Sequence, residues 1–140
     1  MAKFKKILVP LDGSSNSIRG LDKAIEIAKS SDAEITGFYV FKLPLVAGIK
    51  YTQKMKDGAQ KKAVKAIGPA MNRTQKSGAV FKYKTSGGHT GSEIVKFAQN
   101  GKFDMVVIGA RGIGGAKEAF LGSTSNYVLH KTKVPVLVVK

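Results

Sequence analysis

The sequence predicts an open α/β fold: a five-stranded parallel sheet of strand order 3-2-1-4-5 with helices on both faces. Three observations carry this expectation. Short β-rich apolar runs alternate with amphipathic stretches through all 140 residues, and strict β-α-β alternation implies parallel strands joined by helical crossovers. Right-handed crossovers leave few arrangements of five such strands, and 3-2-1-4-5 is the simplest. Finally, the glycine-rich stretch from Gly109 to Gly115 follows directly on the apolar run Met105-Val106-Val107-Ile108. A ligand-facing loop of such a sheet belongs at a strand's carboxyl end.

Each element has its own warrant. Residues 5–11, KKILVPL, suit a buried first strand, with Pro10 at its end, where no ladder N–H is needed. Asp12-Gly13-Ser14-Ser15 reads as a loop with helix-cap character, with Ser15 as a cap. Ile18, Leu21, Ile25 and Ala28 then recur at helical spacing, giving a first helix over about residues 15–30. EITGFYVF, residues 34–41, is a β-rich second strand. Residues 42–50 hold Pro44 and Gly48 and read as a surface loop, extending to about residue 54 as a lid. A long helical pattern follows, with Met55, Ala59, Ala63, Ala66, Ile67, Ala70, Met71 and Thr74 on one face. Gly68-Pro69 is expected to bend or break it, and Gly78 to cap it.

Residues 80–85 alternate, with Val80, Lys82 and Lys84 against Phe81, Tyr83 and Thr85. That pattern places the third strand at a sheet edge with one face partly wet. Thr90 and Glu93 have capping-box spacing for a helix carrying Ile94, Phe97 and Ala98 and ending at Gly101. Residues 103–108 form the fourth strand. A last helix over residues 123–131 carries Val128 and Leu129, and residues 134–139 form the fifth strand.

Composition limits the class. At this length the chain reads as one domain, residues 1–140, and 43% hydrophobic content supports a packed core. No run of about 18 apolar residues is present to span a membrane. The apolar run Ile7-Leu8-Val9 is too short for a signal-peptide core. A soluble cytoplasmic protein is expected, and the absence of cysteine excludes disulfides and thiolate chemistry. The formal charge of +15 is almost all lysine; Arg19, Arg73 and Arg111 are the arginines. The lysines are spread along the chain without a block of about five. This favours a solvated lysine surface over a nucleic-acid-binding one.

Four glycines in the seven positions Gly109 to Gly115 leave backbone N–H groups bare, and concave arrays of N–H groups bind anions. Gly122-Ser123-Thr124-Ser125 reads as a glycine with hydroxyl caps opening a helix. The two devices together suggest a clamp on a phosphorylated ligand. In the expected topology the loop after strand one, Asp12-Gly13-Ser14, lies beside the loop after strand four at the switch point. Topology and glycine pattern thus point to one site.

With these residues placed, the sequence resembles the universal stress protein family, over almost its whole length. The opening ILVPLDGS looks like that family's first strand and loop, and VPVLVVK like its last strand. Gly109-Ala110-Arg111-Gly112, nine residues, then Gly122-Ser123 fits G-x2-G-x9-G-[S/T], the spacing of its ATP-binding branch. The resemblance implies a Rossmann-like fold of the adenine nucleotide alpha hydrolase type. It also implies roles. Asp12 would hold the ribose hydroxyls, Val40 would offer its backbone to the adenine edge, and Pro10 would wall the adenine pocket. Gly109 would lie against the ribose and Gly112 against the phosphates. Gly122, Ser123 and Thr124 would donate N–H groups to phosphate, with the Ser123 and Ser125 hydroxyls as further donors. The ligand would be ATP, AMP or ADP, with Mg2+ or Mn2+ on the phosphates. Other residues have plainer readings: Gly114 and Gly115 as turn glycines, Arg111 facing phosphate or solvent, His89 on the surface, His130 at a helix end.

No catalytic constellation stands out. There is no G-x4-G-K-[S/T] loop, no G-x-S-x-G elbow, and the two histidines lack metal-ligand spacing. The expectation is a dimeric nucleotide-binding regulator of the stress response, with a basic nucleic-acid-associated protein, or slow ATP hydrolysis lacking a nominated base, as the alternatives. The apolar strand Val134–Val139 at the sheet's rim calls for a partner, and a homodimer through it would bury that edge.

Overall fold

The computed structural model describes residues 4–42, 50, 52–111 and 121–140. The expectations for Gly112, Gly114, Gly115 and most of the 42–54 segment fall outside them. Five parallel strands, β1 (Lys6–Pro10), β2 (Glu34–Phe41), β3 (Phe81–Gly87), β4 (Met105–Gly109) and β5 (Val136–Val139), form one sheet of order β3-β2-β1-β4-β5. Four helices alternate with them: α1 (Ser15–Ser31), α2 (Gln53–Ser77), α3 (Thr90–Asn100) and α4 (Ser123–Lys131). This is the expected order.

Successive strand residues point to opposite faces, so β1 supplies both halves of the core. Ile7 and Val9 join Leu21 and Ile25 of α1 and Ala66 and Ile67 of α2 on one face. Leu8 joins Ile94 and Ala98 of α3 and Val128 of α4 on the other. A strand covered on both sides must read as a continuous apolar run, which is why its signal in the sequence is clear. On the second face Phe97 stacks on Phe38, ring centroids 4.4 Å apart.

Local chemistry sets the helix ends, and here several expectations change. Ser14, not Ser15, caps α1, its hydroxyl accepting the Ser17 N–H at 3.2 Å. α2 runs unbroken through Gly68-Pro69, where a bend or break was expected. The residue before a proline is pushed out of the helical region partly by its Cβ, and Gly68 has none. Pro69 itself is exposed, so water can reach the carbonyl left without its N–H. Ala63, Ala66, Ile67, Ala70 and Thr74 hold the helix on the sheet, while Met55 and Met71, expected on that face, are 37% exposed. On α4, Val128 is buried but Leu129 faces outward.

α3 is capped by His89 rather than by Thr90, since the His89 ring nitrogen accepts the Ser92 N–H at 3.2 Å. Glu93 does not close a capping box; it accepts the Ser86 hydroxyl at 3.1 Å and pairs with Lys96. β3 lies at the sheet edge as its alternation implied. It is wetter than alternation suggests, because Lys82, Tyr83, Lys84 and Thr85 are all exposed.

Candidate functional site

The carboxyl ends of β1, β2 and β4 open into a cleft of about 1580 Å³. One wall is α2, with Gly58, Lys62 and Lys65; the other is formed by Thr90 and Ile94 of α3 and the start of α4. Pro10, Asp12, Val40, Gly109, Gly122, Ser123, Thr124 and Ser125 all line it. Residues scattered over more than a hundred positions thus meet in one place.

Asp12 follows β1 directly. Its Oδ1 accepts the Ser14 N–H at 2.9 Å and the Ser14 hydroxyl, which stiffens the turn into α1. Oδ2 has no partner among the described residues, so the carboxylate holds its loop with one oxygen and presents the other. An ionised carboxylate only accepts, and a free oxygen in a cleft suits a ligand hydroxyl. Its charge is felt nearby: burial first, then the Asp12 carboxylate, push the Tyr39 phenol above its usual 10.0. Tyr39 lines the cleft beside Val40.

Val40 contributes through its main chain. Its side chain belongs to the second core face. On β2 the even-numbered residues face β1, as the Glu34 N–H donating to Lys5 O and the Leu11 N–H donating to Phe38 O establish. Two residues beyond Phe38, Val40 directs its N–H and C=O the same way. There β1 has ended, because the pairing stops at Pro10 with Phe38. The Val40 backbone therefore faces the cleft.

Gly109 is glycine for an internal reason. A Cβ at this position would lie 2.6 Å from Asn16 O and 2.7 Å from Asn16 C, in the first turn of α1. At the α4 end, Gly122 caps the helix without a side chain, and its N–H already donates to Ala110 O at 2.7 Å. The Ser125 hydroxyl donates to the same carbonyl at 2.8 Å, and Ser125 is buried. Both groups were expected as phosphate donors, and both are engaged in fixing α4 to the end of β4. A helix leaves its first N–H groups without internal partners. Those of Ser123 and Thr124 have none among the described residues and open toward the cleft with the exposed Ser123 hydroxyl.

Among the described residues, four cations, Lys42, Lys62, Lys65 and Arg111, line the cleft against the one carboxylate of Asp12, giving a field that attracts anions. Lys62 and Lys65 were not anticipated. Their signal was the spacing Gly58, Lys62, Lys65, Ala66, one side of a helix, which becomes informative only once α2 is known to flank the strand ends. Among the described residues no group of three His, Cys, Asp or Glu side chains is gathered to hold a metal ion. No helix among them is long and apolar enough to cross a membrane.

The universal stress protein family model matches residues 3–140. Universal stress protein YxiE of Bacillus subtilis is 31% identical over 147 aligned residues, covering 98% of this chain and 99% of the relative. The universal stress protein UspA from Lactobacillus plantarum superposes with a TM-score of 0.87 at 25% identity, over the full length of both chains. A universal stress protein crystallised in complex with cAMP superposes with a TM-score of 0.76 at 26% identity, covering 99% of each chain. The sheet order, the matched length and these relatives lead to one conclusion: the chain belongs to the universal stress protein family.

Proposed function

We propose that this protein binds an adenine nucleotide, ATP or its shorter forms AMP and ADP, and acts as a dimeric stress-response regulator in the cytoplasm. The carrying observation is that one cleft is lined by Asp12, whose Oδ2 has no partner among the described residues, and by Ser123 and Thr124, whose N–H groups likewise have none among them. A ribose offers hydroxyl donors to the first, and a phosphate offers acceptors to the second. The Val40 backbone, with one donor and one acceptor between them, suits the edge of an adenine ring, with Pro10 as wall. Gly109 and Gly112 would lie along the ribose and the phosphates. Gly122 and Ser125 act as framework, holding the α4 terminus in place. The cAMP complex of a relative supports an adenine nucleotide as the ligand class.

The reading is of a sensor rather than a turnover enzyme. Asp12 is the one carboxylate among the described cleft residues, and in this reading it is committed to the ribose hydroxyls. A divalent ion, Mg2+ or Mn2+, would ride on the phosphates. Dimerisation through β5 is supported by its position at the sheet rim, where Val136 to Val139 are all half-buried in the single chain.

Isothermal titration with ATP and AMP tests the ligand. Saturable heat is expected, lost in Asp12→Ala combined with Ser123→Ala. Absence of heat with either nucleotide, on protein shown to be folded, would sink the proposal. Light scattering behind a sizing column tests the dimer, which Val138→Lys should convert to monomer.

A further inference from the structure

We propose a second binding surface, on the outward side of α2, for the phosphate backbone of double-stranded nucleic acid. The lysines look dispersed in the sequence, but the fold gathers them. α2 carries Lys54, Lys56, Lys61, Lys62, Lys65, Arg73 and Lys76 against the single acid Asp57. At about 100° per residue, Lys54, Lys61, Lys65 and Lys76 fall within an arc of about 60° and extend along about 33 Å of helix. The opposite side holds the buried residues Ala63, Ala66, Ile67, Ala70 and Thr74, so the row points away from the sheet, with Lys65 also at the edge of the cleft. All four lysines are exposed.

These charges are not neutralised locally. Arg73 pairs with Asp22 at 3.0 Å, and Asp57 is engaged by the Gln53 amide at 3.0 Å. None of the six lysines of α2 has an acidic partner among the described residues. Gly68 and Asn72 lie between the lysines, so the row is not interrupted by a bulky side chain. Its length matches about one turn of a duplex, roughly 34 Å. α2 has no aromatic residue on which an unpaired base could stack. Its main apolar side is already against the sheet, leaving Met55, Val64 and Met71 scattered on either side of the row, too little to enter a lipid surface. The chemistry on offer is a straight row of flexible ammonium groups, which fits a regular array of phosphates and reads no sequence.

The test is fluorescence anisotropy of a labelled DNA duplex of mixed sequence, titrated with the full-length protein over a range of KCl concentrations. Engagement of four phosphates predicts that log K falls with log[KCl] at a slope of about −3.6. The quadruple variant K54Q/K61Q/K65Q/K76Q should lower low-salt affinity at least tenfold and flatten the slope. A control, K29Q/K84Q/K131Q/K140Q, removes the same charge elsewhere and should leave the slope near the original. Circular dichroism confirms that both variants are folded. Equal losses in the two variants would overturn the proposal, since diffuse charge would then carry the binding. So would no binding at low salt, or binding of phosphatidylserine vesicles but not duplex that depends on the same four lysines. Because Lys65 also borders the cleft, the triple variant K54Q/K61Q/K76Q keeps the two sites apart: it should lose duplex affinity and keep nucleotide heat, and loss of both together would overturn a separate surface. In the parent protein, nucleotide heat with no duplex binding removes this surface alone, and the converse removes the nucleotide reading alone.

Discussion

Replacing Gly109 by alanine probes the contact that fixes α1 against the end of β4. The added Cβ would sit 2.6 Å from Asn16 O, and ordinary contact begins near 3.4 Å, so about 0.8 Å must be found. The obstructing atoms are backbone, in the first turn of a helix capped by Ser14 and followed by the buried Leu21 and Ala24. No side chain can swing aside. Overpacking of this kind costs about 1–3 kcal/mol. For a domain of this size that corresponds to a melting temperature lower by about 3–12 °C. Gly58→Ala makes the internal comparison. No described residue lies within 4 Å of a Cβ there, and replacing glycine inside a helix should stabilise by about 0.5–1 kcal/mol. Differential scanning calorimetry on the two variants reads both effects. If Gly109→Ala melts with the parent protein, the close approach of α1 and β4 is not a constraint and the account of Gly109 fails.

Ser125→Ala should cost about 1 kcal/mol in urea denaturation, because Ala110 O keeps the Gly122 N–H but loses the buried hydroxyl; an unchanged midpoint would refute its anchoring role. The raised Tyr39 phenol makes the folded state hold its proton where the unfolded chain has begun to lose it. Stability should therefore fall as pH rises past about 10, and Tyr39→Phe should flatten that fall in thermal melts. Asp12→Asn should bring the Tyr39 titration, followed by tyrosinate absorbance, back toward the ordinary value. Breaking the exposed Arg73–Asp22 pair with Arg73→Ala should shift stability by no more than about 0.5 kcal/mol, and a larger loss would show that the pair acts beyond its local contact.

What the chain discloses before folding depends on how local the cause is. β2 and α4 were placed to the residue, because continuous apolar character and the Gly122-Ser123 start are local signals. The strand order followed from crossover handedness. The passage of α2 through Pro69 was not legible, since a proline inside a helical pattern ordinarily ends it and the relief comes from the neighbouring Gly68. The His89 cap was hidden by the more usual Thr90. In the cleft, Pro10, Asp12, Val40, Gly109 and the Gly122 to Ser125 start were named from the family resemblance, whereas Leu11, Phe38 and Tyr39, which also line it, carried no signal of their own. The engagement of Ser125 by Ala110, fifteen positions away, needed the fold. So did the α2 wall with Lys62 and Lys65, because no local pattern says which side of a helix will overlook another strand's end.

The Ala110 carbonyl, accepting from both Gly122 and Ser125, has a consequence for how such chains can diverge. It ties position 110 directly to positions 122 and 125, so Ala110, Gly122 and Ser125 by themselves fix the α4 terminus to the end of β4. For a loop whose ends are already pinned, doubling its length costs only about 0.6 kcal/mol. A longer connection between positions 110 and 122 is therefore compatible with the same α4 terminus. An inserted fluorescent module there would turn the cleft into a reporter of its own occupancy.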